Sequence, residues 1–208
     1  MKINPNNFEK FNSVLTGIVV PRPIAFVSTV SNSGKFNLSP YSFFNAVSYN
    51  PPLVAFSSSK FTPEGKRKDS LANIKENGEF VVNIVVDQIA PLMNQTAAEY
   101  PEDISEFDIS GLTPVKSEKI TPPRVKESPV NMECKLDRIV DLGNDIDSSG
   151  LVIGEVVLVH IEDSMISGHR INHQKLNPIG RLAGNMYCKT NDTFELIRPK
   201  YKLSLIHI

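Results

Sequence analysis

The sequence predicts a mainly β fold with short helices, arranged as an antiparallel barrel. Stretches rich in apolar and β-branched residues recur along the chain between turn residues, which indicates about six or seven strands. These strands follow one another without regular helical crossovers, and this argues against a doubly wound parallel sheet. An antiparallel barrel flanked by small helices accommodates them better.

Strand and turn signals alternate from the start of the chain. The apolar, β-branched residues 14–20 give a strand signal before an extended Pro21-Arg22-Pro23 link, and Pro40 is expected to interrupt the strand that begins at Phe36. The predicted strands are residues 24–30, 36–39, 53–59, 79–86, 130–141, 150–160 and 194–198. The predicted helices are residues 69–77, capped by Asp69 or Ser70, and residues 88–98 and 171–181, with an irregular stretch at 99–129.

Charge and apolar patterning narrow the class of protein. The 22 basic and 23 acidic side chains give a formal net charge of −1, which provides no electrostatic footprint for nucleic acid or an anionic membrane. No apolar run approaches the roughly 20 residues that span a bilayer, and the first ten residues are too polar for a signal peptide. We therefore expect a cytoplasmic protein with no membrane partner.

The cysteines and histidines indicate neither a disulfide framework nor a metal site. Cys134 and Cys188 are far apart and form no CxxC pair, so reduced thiols are expected. His169 and His173 are four residues apart, but no neighbouring Glu or Cys completes a ligand set. No metal is predicted.

The chain is expected to form one domain, residues 1–202. The last six residues, 203–208, match the peptide that a common sequencing adapter encodes in frame, so we interpret them as an assembly scar. A natural apolar tail is the alternative. Resequencing of the locus would decide between the two.

Small hydroxyl side chains are concentrated between residues 21 and 59. Hydroxyls and free amides at strand ends suit a polar ligand that accepts many neutral hydrogen bonds. Solvated turn residues at a barrel rim are the alternative explanation. The hydroxyl residues are Ser28, Thr29, Ser31, Ser39, Ser42, Ser48, Ser57, Ser58 and Ser59.

The segment Arg67-Lys68-Asp69-Ser70 is the sharpest local signal, because two cations precede a predicted helix start. The first turn of a helix presents unpaired amides and a partial positive charge, which favour a phosphate. A helix cap with a solvated basic flank is the simpler alternative. Gly-rich nucleotide motifs and a Gly-x-Ser-x-Gly elbow are missing from the sequence, so we predict no Rossmann or P-loop site and no catalytic nucleophile.

Several segments together resemble the flavin reductase-like family, in particular flavoredoxins and the flavin-reducing components of two-component monooxygenases. The resemblance covers about residues 15–199 in the order of the family. The segments are PRPIAFVST (21–29), NLSPYSFFNAVS (37–48), PPL (51–53), KDSLANI (68–74), GEFVVN (78–83), GLTP (111–114), PRV (123–125), ESP (127–129), EC (133–134) and PIGRLAG (178–184) with Tyr187.

The resemblance implies a homodimeric, Greek-key-like split β-barrel that holds FMN near the dimer interface. Arg67, Lys68 and Ser70 would hold the phosphate, Ser57 to Ser59 would face the ribityl chain, and the segment from Arg181 to Tyr187 would close one side. The implied cofactor-binding residues are Ser28, Thr29, Ser42, Phe43, Phe44, Asn45, Ala46, Ser57, Ser58, Ser59, Arg67, Lys68, Asp69, Ser70, Arg181 and Tyr187.

The resemblance further implies an NAD(P)H-dependent flavin reductase. Such an enzyme passes hydride from the nicotinamide to the flavin, and electrons then reach an acceptor or a partner monooxygenase. A flavoredoxin-like carrier that binds FMN without nicotinamide turnover is the alternative. A barrel that has lost its cofactor is a third reading, against which the intact 42–48 and 68–70 segments count.

Overall fold

The protein is described by a computed structural model that covers residues 1–62, 65, 67–101, 104–145 and 148–199. The hexapeptide 203–208 lies outside these residues. The helices are α1 (Phe11–Ile18), α2 (Asp69–Asn77), α3 (Ala90–Gln95), α4 (Glu106–Ser110) and α5 (His173–Leu176). The strands are β1 (Ala25–Val30), β2 (Phe36–Tyr41), β3 (Phe44–Tyr49), β4 (Pro52–Ser59), β5 (Glu79–Ile84), β6 (Pro114–Val115), β7 (Arg124–Val125), β8 (Val130–Leu142), β9 (Ser149–Ile161), β10 (Ile166–Ser167), β11 (Arg170–Ile171), β12 (Ile179–Arg181) and β13 (Tyr187–Lys189).

Seven strands form one antiparallel sheet in the order β2-β1-β5-β8-β9-β4-β3. The first strand of this sheet approaches the sixth, because the ring of Tyr41 on β2 lies 4.9 Å from that of Phe56 on β4. The sheet is therefore rolled into a barrel, which confirms the predicted fold class. We call the line where β2 faces β4 the seam. Among the described residues, no helix combines the length and the apolar composition needed to cross a membrane.

Strand β1 shows how the core is divided. All six of its residues are buried, and they alternate between two faces. Ala25 and Val27 pack into an inner cluster with Phe56, and Phe26 packs into an outer cluster that contains Met93. A strand that is buried on both faces gives a nearly continuous apolar run, here residues 24–27 and Val30, which is why this strand is predicted well.

The structure corrects two predictions near the start of the chain. Most of residues 14–20 lie in helix α1, where Phe11, Val14 and Ile18 recur at helical spacing. Pro40 does not end the second strand, because β2 continues to Tyr41. Strand β2 is an edge of the sheet, where a residue without an N–H costs little.

Later parts of the chain also differ from prediction. Residues 194–198 are exposed and form no strand. The irregular stretch 99–129 contains helix α4, and residues 179–189 contain the β12–β13 hairpin. These short elements are formed through tertiary packing, and local periodicity is weak over so few residues.

Helix α2 has the predicted end but not the predicted cap. It ends at Gly78, whose φ of 69° is the left-handed conformation that glycine adopts readily. Its N-cap is Lys68, with no side-chain capping hydrogen bond, and Asp69 and Ser70 are the first helical residues. The amides of the first turn are therefore not consumed by a side-chain cap from Lys68.

Gly154 on β9 is predicted to be required for packing of the inner core. A Cβ atom there would lie 2.6 Å from Cε1 of the fully buried Phe80 and 3.2 Å from the Lys135 carbonyl oxygen. We expect Gly154→Ala to lower the free energy of unfolding by about 1–3 kcal/mol, measured by denaturant titration. The control is Gly17→Ala in α1, where the nearest atom is 3.9 Å away. Equal stability of the two variants would contradict the prediction.

Candidate functional site

A buried polar network lies at the seam and connects β1, β2, α2 and α4. Ser70 donates a hydrogen bond from Oγ to Asn37 Oδ1 at 2.5 Å, and Asn37 Nδ2 donates to Glu106 Oε1 at 2.9 Å. Asn73 Nδ2 donates to Thr29 Oγ1 at 3.0 Å. Satisfied buried groups of this kind hold each other in place, so the start of α2 is fixed against β2.

Tyr41 extends this network across the seam. Its hydroxyl is within hydrogen-bonding reach of Ser70, Ser58 and Ser39. Burial raises the pKa of Tyr41 above its usual value of 10.0, against the lowering effect of these hydroxyls and of Lys68. The phenol is therefore neutral at physiological pH and can donate a hydrogen bond.

A small cavity of about 50 Å³ opens where α2 begins; we call it the helix-start pocket. It is lined by the hydroxyl residues Ser39, Tyr41, Thr62 and Ser70, the cations Arg67 and Lys68, and the acids Asp69, Glu99 and Glu106, among others. Within the described part of the chain, the Arg67 guanidinium makes no hydrogen bond or ion pair. Lys68 Nζ lies 2.8 Å from Glu99 Oε1.

The acids of this pocket differ in their hydrogen-bond partners. Both carboxylate oxygens of Glu106 bind protein donors, because the second oxygen accepts a hydrogen bond from the Leu38 amide at 3.0 Å. Burial raises the pKa of Glu106, and the amide of Leu38 is among the groups that oppose the shift. Glu99 is more exposed and holds Lys68, so it competes with any anion for that cation.

A larger cavity of about 600 Å³ lies on the face of β2 opposite the helix-start pocket; we call it the large cavity. Its lining includes Arg22, Ser42, Met93, Arg181, Leu182 and Tyr187, and no Asp or Glu is present among its described lining residues. The two cavities lie on opposite faces of edge strand β2, because Pro40 lines the large cavity and the alternate residues Ser39 and Tyr41 line the helix-start pocket. The consecutive residues Ala97 and Ala98 line the large cavity and the helix-start pocket, respectively.

Arg22 joins several segments of the wall of the large cavity through hydrogen bonds. Its Nη1 donates to the carbonyls of Thr16 at 2.6 Å and Val19 at 2.8 Å, and its Nη2 donates to Leu182 O at 3.0 Å. Nε lies 3.4 Å from Ser42 Oγ. Burial lowers the pKa of Arg22, and the charge of Arg181 adds to this shift. The end of α1, the link between β2 and β3 and the segment after β12 are thus joined through one guanidinium.

Arg181 and Tyr187 form the far wall of the large cavity on the β12–β13 hairpin. The Arg181 guanidinium lies 4.5 Å from the centre of the Tyr187 ring and donates hydrogen bonds to Tyr187 Oη and Gly184 O. Tyr187 Oη donates to Asn94 Oδ1 at 3.2 Å. These contacts place both predicted residues beside a cavity and join the hairpin to α3.

The structure brings together one part of the predicted residues. Those that line the two cavities or the network between them are Thr29, Ser42, Ser58, Arg67, Lys68, Asp69, Ser70, Arg181 and Tyr187. Asn37, Tyr41 and Glu106 were not among the predicted site residues, nor was Arg22. Arg22 alone carried a usable signal, a cation between two prolines in an otherwise apolar segment.

The remaining predicted residues lie elsewhere. Ser28 points to the face of β1 opposite Thr29, where its hydroxyl donates to Pro123 O and accepts from Asn83. On β4, Ser57 and Ser59 alternate with Ser58 and face away from Tyr41. The others lie on or next to edge strand β3, outside the lining of both cavities: Phe43, Phe44, Asn45 and Ala46.

The rolled antiparallel sheet with its seam defines the class of protein as a split β-barrel. Residues 17–175 match the model of the flavin reductase like domain, so the chain belongs to this family and its function involves a flavin. The structure is similar to nitrilotriacetate monooxygenase component B from Bacillus cereus, with 44% identity and a TM-score of 0.89 over 94% of this chain and 98% of that one.

Two further solved structures support this assignment. The 2-nitrobenzoate 2-nitroreductase NbaA of Pseudomonas fluorescens is 32% identical, with a TM-score of 0.87 over 99% of this chain and 100% of that one. A protein with a flavin reductase split barrel domain from Shewanella frigidimarina NCIMB 400 is 26% identical, with a TM-score of 0.81 over 97% and 100% of the two chains. The predicted family and the split β-barrel are confirmed.

Proposed function

We propose that this chain binds FMN around edge strand β2 and acts as an NAD(P)H-dependent flavin reductase that supplies electrons to an acceptor or a partner monooxygenase. The observation that carries the proposal is the pair of cavities on the two faces of β2. The helix-start pocket offers cations and hydroxyls, and the large cavity offers room without a carboxylate among its described lining residues. A flavin nucleotide has a phosphate at one end, which suits the helix-start pocket, and a ring system at the other, which suits the large cavity.

The donors at the start of α2 fit a phosphate. Arg67 and Lys68 supply positive charge, and the first-turn amides of α2 supply further donors. The Ser70 hydroxyl is buried and its hydrogen is directed to Asn37 Oδ1. We therefore assign Ser70 to positioning the helix start and give the direct contacts with phosphate to Arg67 and Lys68.

The large cavity fits the flavin ring and a co-substrate. Its apolar side chains include Ile24, Met93 and Leu182, and Ser42 supplies a hydroxyl. Bound flavin supplies reversible two-electron redox chemistry, for which no protein nucleophile is needed. The charges of Arg22 and Arg181 favour negative charge that develops in the cavity, because fixed cations act strongly where water is excluded.

A homodimer is part of the proposal. Strand β3 is an edge of the sheet, and Val47 and Tyr49 on it are exposed. An exposed edge with apolar side chains favours association with a second chain. Pairing there would also cover Phe43 and Asn45, two of the predicted flavin-contacting residues that the single chain leaves outside both cavities.

The decisive experiment is an absorption spectrum of the purified protein followed by anaerobic titration with NADH and NADPH. Loss of the bound flavin band upon titration with either nicotinamide would support the reductase. A yellow protein that resists both nicotinamides would instead favour the electron carrier. A colourless protein that takes up no flavin when offered an excess would overturn the proposal.

Replacing Glu99 with Gln should strengthen FMN binding. The change releases Lys68 from its ion pair and removes a negative charge from the phosphate side of the site. Exposed pairs contribute about 0.2–1 kcal/mol, so we expect roughly a one-and-a-half- to fivefold lower Kd, measured by flavin fluorescence quenching. Glu155→Gln, an exposed change on β9, is the control. Weaker FMN binding in the Glu99 variant would count against phosphate contact by Lys68.

A further inference from the structure

A further cavity of about 470 Å³ lies where the β6–β7 hairpin meets the start of β8 and the end of β9; we call it the β7 cavity. None of its described lining residues takes part in the helix-start pocket or the large cavity. Three of them, Arg124, Ser128 and Pro129, belong to the segments PRV and ESP, to which the proposed flavin site gives no role. The volume is in the roughly 300–1,000 Å³ range of small-molecule sites.

The Arg124 guanidinium carries an unmet hydrogen-bond donor at this cavity. Its Nη2 donates to the Lys116 carbonyl at 3.1 Å. Its Nε is buried, and no described residue accepts a hydrogen bond from it. A buried charged donor without an acceptor is costly, so this arrangement favours an acceptor that a ligand supplies.

The backbone around Arg124 is anchored before any ligand binds. Arg124 pairs with Val115 across the β6–β7 hairpin. The next residue, Val125, donates its amide to Asn83 Oδ1 at 2.9 Å and accepts from Asn131 Nδ2 at 3.2 Å. Both asparagines are buried. A donor that is held in place in advance loses little conformational freedom on binding.

The charge of the β7 cavity is positive. Arg124 and Lys126 are the cations and Glu162 is the acid of the described lining, so one positive charge remains when His160 is counted as neutral. The ring of His160 is held from behind by Glu133, with 2.6 Å between Nε2 and Oε1. Neither Arg124 nor Lys126 forms an ion pair with a described acid. Both cations are therefore available to an anionic ligand.

Apolar side chains form the rest of the wall. Val115, Val159 and Ile161 line the cavity, and Val159 is 42% exposed, so a ligand would cover apolar surface that now faces solvent. We propose that the β7 cavity binds a small organic carboxylate. The carboxylate lies against Arg124 Nε and Lys126, and an apolar body lies against the three aliphatic side chains. This site is independent of the proposed flavin site.

Calorimetric titration of the full-length protein with hexanoate tests the proposal. Hexanoate should bind at least about tenfold more tightly than acetate, which lacks the apolar body, and hexylamine, which has the opposite charge, should not bind. Arg124→Gln should weaken hexanoate binding roughly tenfold, and the exposed Lys126→Gln about two- to fivefold. Arg170→Gln, an exposed change on β11, is the control and should leave the affinity unchanged.

The NMR resonance of the Arg124 Nε–H group gives a second readout that needs no variant. Hexanoate should shift this resonance in the parent protein, because the carboxylate becomes the acceptor that Nε lacks. If hexanoate does not bind and the resonance does not move, bound water satisfies Nε and the proposal is overturned. Inorganic phosphate that binds as tightly as hexanoate would also overturn it, since the apolar wall would then contribute nothing.

Hexanoate affinity that both Arg124→Gln and Lys126→Gln leave unchanged would place the binding elsewhere and overturn the proposal as well. The flavin titration on the same preparation separates the two proposals. Hexanoate binding in a protein that takes up no flavin supports the β7 cavity and refutes the proposed function alone. Flavin binding without hexanoate binding does the reverse.

Discussion

Replacing Arg67 and Lys68 together with Ala is expected to weaken FMN binding by about 2–4 kcal/mol, a loss of roughly 30- to 900-fold in affinity. Both cations line the helix-start pocket, and each can make a charge-assisted contact with a phosphate. Riboflavin, which has no phosphate, should bind the variant and the parent protein about equally. Fluorescence titration with the two flavins separates the phosphate contribution from that of the ring.

The choice of these two residues follows from the geometry of the pocket. Ser70 is left unchanged, since the loss of its hydroxyl would remove the buried hydrogen bond to Asn37 Oδ1 and disturb α2 itself. The matched control is Lys135→Ala with Arg170→Ala, which removes the same charge from exposed positions on β8 and β11. Unchanged FMN affinity in the Arg67/Lys68 variant would refute the phosphate assignment.

Glu133→Ala is expected to lower the free energy of unfolding by about 2–6 kcal/mol, because it leaves two backbone amides without their acceptor at about 1–3 kcal/mol each. Glu133 on β8 is fully buried and accepts the backbone amides of Glu118 at 2.8 Å and Lys119 at 2.7 Å. Its Oε1 also lies 2.6 Å from His160 Nε2 on β9. The substitution leaves these groups without their acceptor. Urea denaturation measures the effect, with the exposed Glu155→Ala as control.

The stabilising effect of Glu133 should depend on pH in a defined direction. Burial raises the pKa of Glu133, but the two amides and His160 outweigh it and hold the pKa below the usual 4.5. A carboxyl with a lowered pKa stabilises the fold fully above pH 4.5, and the stabilisation is lost as the pH falls through the folded-state pKa. The stability difference between the parent protein and Glu133→Ala should therefore shrink below pH 4.5. A constant difference down to pH 3 would contradict this account, since pH 3 lies about 1.5 units below the unfolded pKa.

Local patterns predict the barrel strands well and the site less well. Residues 24–27 and 53–56 are uninterrupted apolar runs of strand length bounded by turn residues, so β1 and β4 follow from local composition. The contact between Tyr41 and Phe56 depends on the curvature of the entire sheet, and no short segment encodes that curvature. The seam, and with it the position of the site, is therefore a long-range property.

The same reasoning explains which site residues were missed. Arg67 and Lys68 were found because the signal, cations before a helix start, is local. Asn37 and Glu106 are far apart in the sequence, and their hydrogen bond forms only after α4 packs against β2. Ser28 and Thr29 are adjacent in the chain, but strand geometry directs them to opposite faces. Spacing alone could not show which hydroxyls remain free for a ligand.

The position of the seam links ligand binding to the integrity of the barrel. Strands β2 and β4 are first and sixth in the sheet, yet a molecule in the helix-start pocket contacts Tyr41, which lies at the line where they meet. Such a molecule would help to hold β2 and β4 together where no hydrogen-bonded ladder joins them. Because the unfolded chain lacks this site, a ligand bound there stabilises the folded barrel. The free energy of unfolding then rises with cofactor concentration.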